Sequence, residues 1–356
     1  MSVNLSQTSE PQISANLSQT SDPKISQTSE PQISANLSQT SDPKMNCIPR
    51  SFDVGATEDF CISTTITKNG MENVFNHFVP RDSDIYVATY PKSGTTWTIS
   101  IMAHLVKKVP EKGISFGLST EEFSPWLDLA ASQENWHSIF SKFEKGTSPR
   151  FFKSHASVGL IKQPARIIQS LRHPLDTFVS AWHHVRGKEV FEYNGSWHHF
   201  FAKVALEGKF ESGDWFDYHE EFLRASKEGK IEALFLRYED MKKDNAISAI
   251  HELANFIGVE SYDAEEISRA TNFKKMKEKS NQGHIDKDGN LSDVLVSQEV
   301  GDRNHPSKAH IRKGIVGDWK NYLSDSELNL WRNYVQIKKE TCPHVIDFFS
   351  LEDLLS

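Results

Sequence analysis

The chain has 356 residues, 37% of them hydrophobic, which is enough to bury a sizeable core. Its formal net charge is −8 and no long Lys/Arg run occurs, which argues against a duplex nucleic-acid binder but leaves room for a local basic pocket that holds a small anion. Three cysteines (Cys47, Cys61, Cys342) without C-x-x-C spacing argue against a disulfide framework or a thiolate zinc site; there is no run of about 18 apolar residues for a membrane span and no apolar signal core at the N-terminus.

These features predict a cytoplasmic protein with free thiols and neither a membrane nor a nucleic-acid partner. Triplets such as Asn16-Leu17-Ser18 and Asn290-Leu291-Ser292 are then chance matches to a glycosylation signal.

Residues 1–45 form a separate segment. Ser6 to Ile25 is repeated as Ser26 to Met45 with one change, Met for Ile. This Ser/Gln/Thr/Pro-rich stretch has no aromatic residue, so it cannot bury enough apolar surface to offset an ordering entropy of roughly 1–2 kcal/mol per residue. It is expected to be a disordered tail, followed by one folded domain over 46–356.

Within that domain, apolar runs alternate with helical spacing. Strands are predicted over 84–90, 150–154, 166–171 and 233–238. Helices are predicted over 95–106 and 240–256, the latter with Ile247, Ile250, Leu253 and Phe256 on its apolar face. This alternation predicts a single α/β domain, a central parallel sheet flanked by helices.

The first strand runs into Tyr90-Pro91-Lys92-Ser93-Gly94-Thr95-Thr96-Trp97, and a helix starts at once. A Gly-containing loop at a helix N-terminus gathers backbone N–H groups and about half a positive charge. Lys92 adds a full charge, and Ser93, Thr95 and Thr96 add hydroxyls: a cradle for phosphate. It is P-loop-like but lacks the first Gly of G-x-x-x-x-G-K-[ST], and its Lys precedes the Gly.

Y-P-K-S-G-T-T-W resembles the 5′-phosphosulfate loop of the cytosolic sulfotransferases. Arg312-Lys313-Gly314-Ile315-Val316-Gly317-Asp318-Trp319-Lys320 resembles that family's 3′-phosphate segment, R-K-G-x-x-G-D-W-K. The two lie in the family's order, and the resemblance covers roughly Ser51 to the C-terminus. It implies an enzyme that moves a sulfuryl group from 3′-phosphoadenosine 5′-phosphosulfate (PAPS) to a hydroxyl or amine of a small acceptor, by in-line transfer and without a metal.

The resemblance carries roles onto individual residues. His155, in Lys153-Ser154-His155 where the family has Lys-Thr-His, is the expected general base. Its place at a strand end agrees with the reactive edge of α/β sheets. Lys92 would stabilise the departing oxygen, Lys153 the sulfuryl oxygens, and Ser180 would restrain Lys92. Arg172 (in Arg172-His173-Pro174-Leu175-Asp176, where His173 departs from the family's Asn), Ser180 and Arg312, with Lys313 and Gly314, would hold the 3′-phosphate.

On the adenine side the resemblance implies Tyr238 and Thr271-Asn272-Phe273-Lys274-Lys275-Met276, where Asn272 replaces the family's Ser, while Trp97 closes the phosphosulfate loop among the cofactor-binding residues. The acceptor would meet Lys153, Ser154, His155 and Trp126; the 22 Phe of the chain are more than enough to line a phenol, sterol or alcohol site, although core packing explains most of them. The family's pairing segment, K-x-x-x-T-V-x-x-x-E, here has Ser324, Asp325 and Asn329 in place of Thr, Val and Glu, so a monomer or a different dimer is expected. The competing readings are a non-catalytic nucleotide or small-ligand binder of the same fold, and a P-loop-type kinase.

Overall fold

Four short apolar segments lie side by side and parallel. They are β1 (Ile85–Ala88), β2 (Phe151–Ser154), β3 (Arg166–Leu171) and β4 (Glu232–Arg237), in the order β2-β1-β3-β4. The computed structural model describes residues 49–50, 60–61, 66–107, 123–187, 191–282 and 312–355. The repeated tail expected over 1–45 lies outside them, as do Cys47 and Asn290.

Every residue of β1 is buried, as a strand covered on both faces requires. Its side chains alternate. Ile85 and Val87 join one apolar layer with Ile99, Met102, Ile168, Ile250 and Leu253, whereas Tyr86 and Ala88 join the other with Phe78, Phe152, Phe178 and Trp215. At the N-terminal edge, Arg150 grips Asp84 with two hydrogen bonds, Nε to Oδ1 at 2.7 Å and Nη2 to Oδ2 at 2.5 Å. Only such fork-to-fork geometry makes a fully buried ion pair tolerable.

Among the helices, those that bear on the site are α1 (Lys68–His77), α2 (Thr95–Lys107), α3 (Leu127–Ala131), α4 (Pro174–Arg186), α5 (Tyr238–Lys243), α6 (Ile247–Ile257) and, near the C-terminus, α7 (Asp325–Thr341). The helix expected over 240–256 is in fact two, α5 and α6. Asn245 (φ 54°) and Ala246 (φ 66°) adopt the left-handed conformation between them, a break that apolar spacing alone does not reveal. Ile257 takes a buried place on α6, and Phe256 lies half-buried under the Arg166 guanidinium, 4.4 Å from its ring centre.

In the altered pairing segment, Ser324 and Glu327 form a reciprocal capping box that starts α7. Cys342 is a free, buried thiol. Among the described residues no helix is long and apolar enough to cross a membrane.

The parallel register sets Val87 opposite both Lys153 and Ile168. The C-terminal ends of β1, β2 and β3 are therefore neighbours, which brings Thr89, His155 and Arg172 to one edge of the sheet.

Candidate active site

The loop after β1 is held in an unusual shape. Lys92 is left-handed (φ 70°) and Gly94 has φ 110°. A side chain at Gly94 would lie 3.0 Å from Tyr238 and 3.3 Å from the Ser170 hydroxyl. The loop closes with Ser93 N–H on the Tyr90 carbonyl (3.3 Å), and α2 begins with Thr98 N–H on the Gly94 carbonyl (3.0 Å). Thr95 Oγ1 is tied to Thr89 Oγ1 at 2.5 Å. The Ser93 hydroxyl is buried and has no hydrogen-bond partner among the described residues, the state expected of a donor reserved for a ligand.

Arg172 joins this loop to the distant C-terminal segment. Its Nη1 donates to the Lys92 carbonyl (3.4 Å), its Nη2 to the Ile315 carbonyl (3.1 Å), and its guanidinium lies over the Tyr238 ring at 4.7 Å. Its Nε is buried without a partner. Asp176, one turn into α4, accepts from the backbone N–H of Gly317 (2.7 Å) and Trp319 (3.1 Å), which clamps the turn of the C-terminal segment. Glu239 similarly accepts from His173 N–H at 2.9 Å.

Arg312 Nη2 and Lys313 Nζ both meet Asp318, at 2.7 and 2.9 Å, while Arg312 Nε and Nη1 are buried and unpartnered. Gly314 (φ 61°) lies so close to Phe273 that a Cβ there would be 2.4 Å from its ring. Trp97 meets Tyr238 edge to face, centroids 5.6 Å apart. Trp97, Arg172, Tyr238, Phe273 and Gly314 thus form one linked set of contacts.

His155 follows β2. Its Nδ1 lies 2.6 Å from the Thr89 carbonyl, which only accepts, so Nδ1 carries the hydrogen and Nε2 keeps its lone pair. Burial, then the Lys153 and Lys92 ammonium groups, push the imidazole down to about 3. It is therefore neutral at physiological pH.

The Trp126 ring meets His155 edge to face (5.1 Å) and has the Lys153 ammonium over it at 4.1 Å. Buried Asp128 organises this corner. It accepts from Trp126 Nε1 (3.1 Å), from Ser154 Oγ (2.8 Å) and from the His155 backbone N–H. Burial raises the Asp128 pKa, and these three hydrogen bonds oppose that rise. Ser212, itself left-handed (φ 72°), donates to the His155 carbonyl at 2.7 Å. A small cleft opens beside the His155 ring, between apolar Ile66, Met71, Trp126 and Ala156 on one hand and Asp128, Glu211 and Ser212 on the other.

Lys92, Ser93, Gly94, Thr95, Trp97, Arg172, Tyr238, Phe273, Arg312 and Gly314 thus meet along one side, and Lys153, His155 and Trp126 along the other. Other expected residues are occupied elsewhere. The Ser154 hydroxyl is engaged by Asp128 and by Ala156 N–H (3.0 Å). Thr271 bonds back to the Ile267 carbonyl (2.9 Å), Asn272 caps the following helix through Lys275 N–H (3.0 Å), and Lys274 and Lys275 are exposed. Met276 is half-buried, and Ser180, on α4, makes no hydrogen bond among the described residues.

Sequence reasoning missed Asp128, Asp176, Ser212, Glu239 and His184, whose Nδ1 lies 3.4 Å from Lys92 Nζ. Asp128 had a signal, two positions from the pocket candidate Trp126. Among the described residues no group of three or more His, Cys, Asp or Glu is arranged to hold a metal ion.

Comparison with known proteins agrees with this geometry. The family described as "Sulfotransferase domain" matches residues 82–342. Human sulfotransferase 2A1 is 29% identical over 281 residues, covering 77% of this chain and 90% of that protein. Rabbit (Oryctolagus cuniculus) amine sulfotransferase is 31% identical over 254 residues, covering 69% of this chain and 77% of that protein. Among solved structures, mouse sulfotransferase SULT7A1 complexed with PAP superposes with a TM-score of 0.62 at 24% identity, over 79% of this chain and 92% of that one. Retinol dehydratase in complex with androsterone and inactive cofactor PAP gives 0.61 at 18% identity, over 80% and 88%. At those identities the two structures speak for the fold.

Proposed function

This chain belongs to the sulfotransferase family and is a PAPS-dependent sulfotransferase, and we propose that it transfers the sulfuryl group to a hydroxyl or amine of a small acceptor with His155 as general base. The observation that carries the reading is Arg172, which spans from the Lys92 carbonyl to the Ile315 carbonyl and so unites two motifs more than two hundred residues apart.

The residues present fit a nucleotide with phosphates at both ends. Buried donors without partners, Ser93 Oγ, Arg172 Nε and Arg312 Nε and Nη1, lie where the two anionic ends would be held. Tyr238, Trp97 and Phe273 supply aromatic faces between them. PAPS supplies the sulfuryl group on a leaving phosphate.

His155 Nε2 takes the proton of the acceptor; such a base contributes roughly 10²–10⁴-fold. An imidazole at about 3 is a weak base, and that value reflects burial together with repulsion from Lys153 and Lys92. Anionic oxygens placed between those two ammonium groups relieve the repulsion and strengthen the base where it is needed. Lys92 and Lys153 then offset the charge that grows on the leaving and sulfuryl oxygens.

The lining beside His155 is largely apolar, in keeping with an acceptor that has an apolar body, and the likeness to an amine sulfotransferase supports testing amines as well as phenols, sterols and alcohols. We assign the protein to the cytoplasm, as a monomer or a dimer that does not pair through 324–329, because Ser324 and Glu327 are used within their own chain to start α7. Sedimentation that shows a dimer broken by changes over 324–329 would overturn that assignment.

The test of function is transfer of labelled sulfate from PAPS to phenols, sterols, aliphatic alcohols and amines. Turnover of one panel member supports the reading. PAP binding without any turnover favours a non-catalytic binder, and no PAP binding sinks the proposal.

A further inference from the structure

Lys92 is held at both ends by the segment that follows β3. Its left-handed backbone (φ 70°) presents its carbonyl to Arg172, two residues before α4. Its ammonium meets His184 Nδ1 at 3.4 Å, in the last turn of that same helix. An ammonium has only hydrogens to give, so Nδ1 of His184 is the acceptor, and the imidazole is neutral with its hydrogen on Nε2. The ring is steadied by buried Phe191, with centroids 5.7 Å apart. Ser180, one turn earlier on α4, makes no hydrogen bond to Lys92 among the described residues.

From this contact we infer that His184 is a positioning residue for Lys92. A lysine side chain is long and rotamer-rich, and unless something holds it, each turnover must order it again. A hydrogen bond from the ammonium to His184 restrains the side chain on the side of the site where the reacting group would lie. Because Arg172 fixes the carbonyl of the same residue, the loop and its charge are set as one rigid piece before the donor arrives, the condition for electrostatic help without reorganisation.

The inference rests on the role proposed for Lys92 and adds a residue that neither motif contains. It also predicts which atom matters: an acceptor at the position of Nδ1, not the bulk or aromaticity of the ring.

The test combines His184→Leu, His184→Gln and Lys92→Met with a direct view of the ring. His184→Leu is expected to lower kcat about tenfold, small against the 10²-fold that a gross misplacement costs, with PAP affinity and Tm close to wild type. His184→Gln, whose amide oxygen can accept, is expected to restore most of kcat. In the Lys92→Met background, His184→Leu is expected to cost nothing further.

Nitrogen-15 NMR of the imidazole should show the hydrogen on Nε2 and a change at Nδ1 in Lys92→Met. Unchanged kcat in His184→Leu, the same loss without Lys92, failure of Gln to restore, or a hydrogen found on Nδ1 would each overturn the inference. Transfer that survives Lys92→Met would instead remove the role given to Lys92, and the positioning role with it. The NMR signal then separates that outcome from the absence of the contact.

Discussion

The imidazole of His155 donates from Nδ1 to the Thr89 carbonyl at 2.6 Å, and this single bond decides which nitrogen can act as a base. The tautomer of His155 is thus chosen by the backbone at the end of a neighbouring strand and not by a carboxylate, and it is the one the proposed base needs. His155→Ala should therefore lower kcat by at least about 10²-fold while PAP binding, measured by calorimetry, stays near wild type. Equal loss of both would mean that the ring supports the fold and not the reaction.

Asp128 ties Trp126, Ser154 and the His155 backbone together, the proposed acceptor wall and the proposed base. Asp128→Asn replaces one acceptor oxygen with a donor, so at least one of those three hydrogen bonds is lost, each worth roughly 1.5–3 kcal/mol when the partner is charged. The expected result is a fall in kcat of about tenfold or more, a lower Tm, and PAP affinity within about twofold, since Asp128 lies away from the nucleotide residues. Steady-state kinetics and calorimetry on the same preparation separate these effects.

Gly314 and Gly317 are both left-handed, but only at Gly314 would a Cβ strike something, Phe273 at 2.4 Å. Gly314→Ala is expected to weaken PAP binding about tenfold, or 1.4 kcal/mol, by pushing Phe273 and the Arg312 segment apart. Gly317→Ala, with open space around it, should lower Tm through backbone strain and leave PAP affinity nearly unchanged. Equal effects on affinity would refute the packing argument.

Several imidazoles are kept neutral, chiefly by burial: His155 and His219 at about 3, His173 and His183 at about 4. In the unfolded chain each ring titrates near 6.5, so the unfolded state takes up more protons as the pH falls. The stability these rings contribute is complete above about pH 6.5 and is lost progressively down to about 3–4. Tm followed by scanning calorimetry should already fall between about pH 6.5 and 5, before most carboxylates titrate. A flat Tm over that window would show that the rings are charged in the fold.

Much of the fold was legible because its signals are local. The runs predicted over 150–154 and 166–171 form the strands Phe151–Ser154 and Arg166–Leu171, and a Gly-containing loop with a lysine and three hydroxyls at a helix N-terminus is readable as a candidate anion site. The break at Asn245–Ala246 was not legible, because both halves carry acceptable helical spacing and only the packing of α6 forces two left-handed residues between them. The occupied hydroxyls were not legible either. Ser154 and Thr271 offer the same atoms in sequence whether they face a ligand or a neighbour, and here each has a neighbour.

The sequence by itself determined the class of chemistry: two anion-binding motifs in order, and a histidine at a strand end between them. Tertiary structure alone decided which atoms serve it. Thr89 sets the tautomer of His155, Arg172 welds the two motifs, Asp128 and Ser212 hold the base from either side, and His184 receives Lys92. Several of these contacts join residues more than fifty positions apart, where spacing carries no information; the parallel register of β1, β2 and β3 brings Thr89 to His155, and the packing of the later segments on that edge supplies the rest.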